Sequence, residues 1–362
     1  MAFFFKEKKS ANYKPAFFIM NYEELIDERV LLEALEKCTK NAIWKHSVQD
    51  ILKNKLAVVC ELHDQLLKKD FSFPSRKEFD IIERGKARHI KAPSVKERVV
   101  QRAICDNVLV PILSPSLIFD CPATLKGKGV SFARKRLLAH LTSFLRLFGV
   151  DGYILQIDFK NYFAKIDHEK LFSKISQKIT DKNIFALIQS MVKNDGSGLG
   201  LGSEISQILA LYYASQIDHF CKEVLRLKFY GRYMDDIYAI HTSRIYLEEC
   251  LEKIRTIALF DKIELNKKKT KIIPIKSGFT FLKIRYRLTA SLKILRLPDK
   301  STFKREKRRL RKMSSLLRSG VLTLDEISNA YKSWRQSLKK FDCHKRLNKC
   351  DSFFKKEFTT DK

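Results

Sequence analysis

The chain has 362 residues, with 71 Lys and Arg against 41 Asp and Glu, giving a formal charge of +30. Apolar residues make up 45% and aromatics 11%, which excludes a disordered chain and predicts two or three domains. No run approaches the ~18 apolar residues of a membrane span, and the opening Met-Ala-Phe-Phe-Phe-Lys-Glu-Lys-Lys is charged too early for a signal peptide, so a cytoplasmic protein is expected.

A folded chain of this charge repels itself unless an anionic partner neutralises it. The Phe-rich segments 2–5 and 16–20 admit an anionic membrane surface. The basic residues, however, run along the whole chain and not along one amphipathic helix, which favours nucleic acid and no membrane. The eight cysteines form no Cys-x-x-Cys and no zinc-ligand spacing with histidine, so reduced, mostly buried thiols are expected.

In chain order, residues 21–70 carry Leu and Ile at three- and four-residue spacing and predict helices. Two strands, 79–82 and 88–91, flank a turn at 83–86. A helix over 95–110 stops near Pro111, a glycine-punctuated loop holds Gly127 and Gly129, and a basic helix covers 132–145. Residues 153–158 read as a buried strand, and Asp167 caps a helix. Gly196, Gly198, Gly200 and Gly202 lead into one long helix from Ser203 to about 226. Strands at 228–233 and 237–241 flank Met234-Asp235-Asp236, a helix covers 246–260, and strand pieces follow at 262–265, 271–275 and 279–286. From 291 the chain is basic and helical, with 21 Lys and Arg against 8 Asp and Glu, and seven of the nine residues 304–312 are basic. The order suits an α+β fold with helices on a sheet.

Two acidic features stand out. Asp235 and Asp236 sit at a tight turn between apolar strands, and Asp158 ends an apolar strand. Each alone also fits a polar turn or a cap. If the strands share a sheet, three carboxylates converge, a costly arrangement unless a cation neutralises it. Mg²⁺ takes oxygen ligands, and two such ions about 3.5–4 Å apart stabilise the attacking and leaving oxygens of phosphoryl transfer.

Tyr233-Met234-Asp235-Asp236 resembles the catalytic tetrapeptide of reverse transcriptases, and the ordered set of motifs strengthens the resemblance. Asp158 with Phe163 five residues on is similar to the family's first catalytic motif. Residues 201–207 resemble the template- and nucleotide-contacting motif, 265–271 the next, and 278–283 the primer grip. Upstream, 85–93 and 96–102 resemble the fingers motifs of bacterial members, and the compact form, the N-terminal helical segment and the loop 126–129 resemble the defence-associated, abortive-infection-like group, with diversity-generating retroelement enzymes the other similar group.

The resemblance implies a right-hand polymerase fold: N-terminal helices and fingers over 1–110, a ferredoxin-like palm with an antiparallel sheet over 111–290 (fingers insertions near 120–150 and 175–200), and a basic helical thumb over 291–362. It implies two Mg²⁺, replaceable by Mn²⁺, on Asp158, Asp235, Asp236 and the Phe159 carbonyl. Lys86 and Arg88 would hold the triphosphate, Phe163 would be the steric gate against a ribose 2′-OH, and Leu201, Gly202 and Gln207 would contact the nucleotide. Lys269 or Lys271 would protonate pyrophosphate. Tyr233, Met234, Gly278, Phe279, Lys283, Arg305, Arg308, Arg309 and Arg311 would contact nucleic acid. A core role for Phe163 and a solvated basic turn at Lys86 and Arg88 remain open from the residues alone.

Leu201 departs from the glutamine most members carry and resembles the error-prone retroelement enzymes. The implied function is RNA-templated DNA synthesis from dNTPs, in antiphage defence with a dedicated non-coding RNA, with a protein partner or homo-oligomer admitted. The alternatives are a mutagenic retroelement enzyme and a catalytically inert nucleic-acid-binding protein.

Overall fold

The computed structural model describes residues 20–72, 76–83, 86–289 and 291–358, with side chains described outside 83–89. The Phe-rich segment 2–5, most of 16–20 and the side chains of Lys86 and Arg88 lie outside these. The chain divides into two compact units, Met1–Leu117 with Phe163–Tyr213, and Ile118–Tyr162 with Ala214–Lys362. Among the described residues no helix is long and apolar enough to cross a membrane.

The first unit begins with helices α1 (Tyr22–Leu25), α2 (Glu28–Thr39), α3 (His46–Lys53) and α4 (Lys55–Leu67). Leu31, Leu35, Leu62 and Leu66 of α2 and α4 are buried, as the spacing predicts. Strands β1 (Lys77–Glu83) and β2 (Lys86–Ala92) form an antiparallel hairpin. Ser94 caps α5 (Val95–Ile104) by accepting from the Glu97 amide.

The expected stop at Pro111 does not occur. A π turn over Cys105–Leu109 leads straight into α6 (Val110–Leu113), so the helix continues past Pro111, which forgoes the one bond its missing N–H would have made to the preceding turn. After chain in the second unit, α8 (His168–Ser176) is capped by Asp167 as expected. Helix α9 (Lys182–Asn194), which the sequence reading omitted, is capped by Asp181. Helix α10 (Glu204–Tyr213) ends before Ala214, which leaves helical geometry at φ −93°, ψ 5°. The expected single helix to 226 is therefore broken, and no glycine or proline marks the break.

In the second unit, α7 (Val130–Phe148) precedes β3 (Tyr153–Asp158). Then come α11 (Ser215–His219), a π turn over Phe220–Val224, β4 (Phe229–Tyr233), β5 (Asp236–His241), α12 (Arg244–Phe260) and β6 (Lys271–Pro274). The sheet runs β4-β5-β3-β6 with every pairing antiparallel. Taking β3, β4, β5 and β6 as strands one to four, this is the 4-1-3-2 order of a ferredoxin-like βαββαβ unit. The piece expected at 262–265 reduces to one bridge, Phe159 with Leu265.

The strand expected over 279–286 is a hairpin. Leu282 (φ 44°) and Lys283 (φ 71°) form the two-residue turn between β7 (Phe279–Phe281) and β8 (Ile284–Leu288). The segment after 291 is not all helix: β9 (Ile294–Pro298) pairs with β8 and completes a three-stranded sheet. Helices α13 (Lys300–Arg318), α14 (Leu324–Leu338) and α15 (His344–Phe358) follow. Phe303, Leu310, Tyr331, Leu338, Leu347 and Cys350 of these helices join one core with Phe279, Tyr286 and the β3–β5 residues Ile154, Tyr238 and Ile240. Seven of the eight cysteines are buried and all are free thiols; Cys60 is exposed.

Candidate active site

β3 is held by burial of Ile154, Leu155 and Ile157, and Asp158, itself only 6% exposed, is its last residue. The β3–β5 register sets Asp158 opposite Asp236. Opposed antiparallel residues have Cα atoms about 4.5–5.5 Å apart, so the two share one end of the sheet. Tyr233 pairs with Asp236 across the β4–β5 hairpin, leaving Met234 and Asp235 as its loop. The Phe159 amide donates to the Asp235 carbonyl (3.3 Å), tying this loop to the exit of β3.

Met234 has φ 55°, a left-handed geometry that costs a non-glycine residue roughly 1–2 kcal/mol. Its support is Arg232, whose side chain is fully buried against the equally buried Asp218 of α11. Arg232 Nε donates to Asp218 Oδ1 (2.8 Å) and Nη2 to Oδ2 (2.6 Å), while Nη1 donates to the Met234 carbonyl (3.2 Å). The Tyr230 hydroxyl donates to Asp218 Oδ1 (2.7 Å). Gly231 lies against the Tyr238 ring, where a Cβ would sit 2.8 Å from its hydroxyl oxygen.

The Asp158 carboxylate is fully engaged. Asn266 Nδ2 donates to Oδ1 (3.0 Å), Lys269 Nζ donates to Oδ2 (2.5 Å), and the Asn266 amide bonds the Asp158 carbonyl (2.7 Å). Burial, then Asp235 and Asp158, push the Asp236 carboxyl up to about 7 against the opposing pull of Lys269 and Lys283. A cleft of about 340 Å³ is lined by Asp158 and Asp236 with Lys268, Lys269, Lys271 and Lys283.

Among the described residues no three His, Cys, Asp or Glu side chains are gathered closely enough to hold a metal ion. The residue types nonetheless fit Mg²⁺ or Mn²⁺, because carboxylate oxygens are the donors these ions take. The Lys269 ammonium occupies Asp158 where a cation's charge would act. Of the two lysines left open by the sequence, Lys269 touches a carboxylate, while Lys271 is an exposed residue of β6.

Other anticipated residues divide. Lys283 lines the cleft from the β7–β8 turn. Gly278 (φ 70°) leaves no room for a side chain, since a Cβ would sit 2.8 Å from the Tyr286 carbonyl oxygen. Phe279 is a correction: its ring is 4% exposed and stacked on Tyr286, so it is core and not a nucleic-acid contact. Tyr233 is half-buried beside the turn. On α13, Arg308, Arg309 and Arg311 are exposed and Arg305 is half-buried; Arg309 bonds Glu306 (2.9 Å), and Arg311 lies 5.3 Å over the Phe353 ring.

In the first unit, Phe163 is half-buried in a short 3₁₀ turn. Its carbonyl accepts from the Leu199 amide (2.8 Å). Leu201 is half-buried, Gly202 (φ 110°) is exposed, and Gln207 is exposed on α10. Lys86 and Arg88 lie on β2.

Sequence reasoning missed Asp218, Arg232 and the role of Asn266. The Arg within the otherwise uncharged strand Phe229–Tyr233 was the available signal, because such a charge is buried only when paired; Asp218, in the polar stretch Ser215–His219, carried none.

A ferredoxin-like antiparallel sheet with acidic residues at adjacent strand ends defines a polymerase-type palm. Residues 67–286 match the family described as Reverse transcriptase (RNA-dependent DNA polymerase). That match covers more than half of the chain, which belongs to this family. It is 23% identical over 277 residues to protein YkfC of Escherichia coli (strain K12), covering 64% of this chain and 72% of that protein. Among solved structures it is similar to telomerase from Candida albicans in complex with a TWJ fragment of telomeric RNA (16% identity, TM-score 0.48, 79% of this chain and 59% of that one). It is also similar to apo telomerase from Candida tropicalis (14%, TM-score 0.47, 83% and 64%). The chain spans about three fifths of these telomerase chains.

Proposed function

We propose that this protein is an RNA-templated DNA polymerase that adds dNMPs to a primer 3′-hydroxyl. The observation that carries the reading is the β3–β5 register, which opposes Asp158 to Asp236 with Asp235 in the adjoining loop. In the reaction the 3′-oxygen bonds to the α-phosphorus of a dNTP, and the bond to the leaving pyrophosphate breaks. Asp158, Asp235, Asp236 and the Phe159 carbonyl would hold two divalent ions. Those ions would lower the hydroxyl's pKa and neutralise charge on the pyrophosphate.

The chain's own groups do the rest. Lys269, once released from Asp158, brings an ammonium to protonate pyrophosphate. Lys86 and Arg88 hold the triphosphate, the Phe163 ring excludes a ribose 2′-OH, and Leu201, Gly202 and Gln207 face the nucleotide. Tyr233, Met234, Gly278 and Lys283 border the primer, and the α13 cations track a duplex backbone. Fingers over 1–110, palm over 111–290 and thumb over 291–362 belong to the same reading.

The charge of +30 supports a dedicated structured RNA as partner, and antiphage defence is the setting proposed. A mutagenic retroelement role is the alternative, supported by Leu201. One observation favours the inert, nucleic-acid-binding reading: Lys269 already neutralises Asp158. Primer extension on an RNA template with dNTPs and Mg²⁺ decides. Wild type should extend, and the Asp235→Ala/Asp236→Ala double variant should not; equal extension by both overturns the assignment. Sequencing the nucleic acid that copurifies tests for a dedicated RNA.

A further inference from the structure

Three elements proposed to contact the nucleotide lie in the first unit: the β1–β2 hairpin, the Phe163 turn and the glycine-rich loop 196–203. The hairpin and the loop are fastened to one carboxylate, and the Phe163 turn is fastened to the loop. Asp195, whose side chain is 1% exposed, pairs through Oδ1 with Arg76, the residue that immediately precedes β1. Its Oδ2 accepts from the Gly200 amide (2.7 Å) and the Ser206 hydroxyl (3.2 Å). Gly200 presses so closely on this carboxylate that a Cβ would sit 2.5 Å from Oδ1.

The loop is also bound to the Phe163 turn. The Leu199 amide donates to the Phe163 carbonyl (2.8 Å), His168 Nε2 bonds the Gly198 carbonyl (2.6 Å), and a Cβ on Gly198 would overlap the Phe163 carbonyl. Arg76, with its side chain 6% exposed, is gripped on its other side by Glu97. Glu97 accepts from Gln101 (3.0 Å), and Gln101 Oε1 accepts from the Ser203 hydroxyl and the Glu204 amide, both at 3.1 Å. The circuit therefore closes on both ends of the loop that presents Leu201 and Gly202.

Two carboxylates and one guanidinium out of water are costly to bury unless each is paired. A plain loop anchor needs none of them, since apolar packing would serve. What an ionic clamp adds is a fixed direction at each bond. We propose that Asp195 and Arg76 are positioning residues for nucleotide selection. They set Leu201 and Gly202 against the Phe163 turn and the hairpin that carries Lys86 and Arg88, without touching the nucleotide themselves. This rests on the polymerase reading.

The test uses two full-length variants that disturb the clamp by different chemistry. Asp195→Asn keeps an acceptor for Gly200 but removes the charge facing Arg76. Gly200→Ala keeps the ion pair and pushes the loop off the carboxylate. The readout is the ratio of rNTP to dNTP kcat/KM in primer extension, alongside the melting temperature. Both variants should raise that ratio on the order of 10- to 100-fold, the penalty of a misplaced positioning group. A fall in melting temperature with an unchanged ratio in both overturns the proposal.

Hydrogen exchange separates this from failure of the polymerase reading. If wild type does not extend a primer, that reading falls, and the clamp is judged on exchange alone. Asp195→Asn should speed exchange at the Leu199 and Gly200 amides and across β1. Acceleration at the loop with none in β1 shows that the clamp does not couple the elements, and sinks it.

Discussion

Arg232 and Asp218 form a fully buried, two-pronged ion pair whose third guanidinium nitrogen holds the carbonyl of Met234 in the loop that carries Asp235. The pair supports both the fold and the loop's left-handed residue. Removing one partner leaves an uncompensated charge in the core. Asp218→Ala should cost about 3–5 kcal/mol in denaturant unfolding, and Arg232→Met a similar amount. Arg232→Lys should keep the charge, lose the bond to Met234, and reduce incorporation more than stability. Equal stability of Asp218→Ala and wild type would contradict this.

The Asp236 carboxyl sets a pH dependence. Its folded pKa of about 7 lies above the ordinary carboxylate value of 3.8, so the folded chain holds a proton that the unfolded chain has released. The associated stability is fully present below about pH 4 and is lost as pH rises through 7. Without divalent cations, the melting temperature of wild type should fall over that window relative to Asp236→Asn. Added Mg²⁺ should stabilise wild type increasingly above pH 7, because ligands must be ionised. Parallel pH profiles for the two proteins would refute the assignment.

If Asp158 holds a divalent cation as proposed, Lys269, which pairs with it, would compete for it. Lys269→Met should bind Mn²⁺ more tightly than wild type in the absence of nucleotide, read by paramagnetic relaxation, yet incorporate dNMPs more slowly. Lys271→Met, altering an exposed β6 residue, should leave Mn²⁺ binding near wild type. Weaker Mn²⁺ binding by Lys269→Met would show that the ammonium supports the site instead of competing for it.

Gly278 joins a left-handed backbone to a close approach of the Tyr286 carbonyl. Gly278→Ala should destabilise by roughly 1–3 kcal/mol through backbone strain and overpacking. Gly320, also left-handed but with nothing within 4 Å of a Cβ, is the control. Its alanine variant should lose less in the same unfolding measurement.

The α13 cations are proposed to bind by charge. Replacing Arg308 and Arg311 with Glu should weaken binding of an RNA–DNA duplex and lower the salt slope by about 0.9 per lost phosphate contact. An unchanged slope would remove α13 from the interface.

Much of the site was legible because its signals are local. An apolar strand ending in Asp158 and a two-aspartate turn between apolar strands can be read from alternation and turn chemistry alone. The β1–β2 hairpin and the Asp167 cap were legible for the same reason. The break at Ala214 was not, because no residue there disfavours helix. Strand β9 was masked by the basic helix that follows it, and Phe279 looked like a surface contact until its ring was found stacked on Tyr286.

The amino-acid sequence by itself determined most of the elements, the family and which acidic residues are candidates, since periodicity, capping and motif order are properties of short segments. Only the tertiary structure decided which charges meet. Arg232 with Asp218, Lys269 with Asp158, and Arg76 with Asp195 lie 14, 111 and 119 residues apart. Chain folding alone brings such groups to bonding distance; burial then makes the Arg232–Asp218 and Arg76–Asp195 pairings obligatory, whereas Lys269, half exposed, is free to leave Asp158.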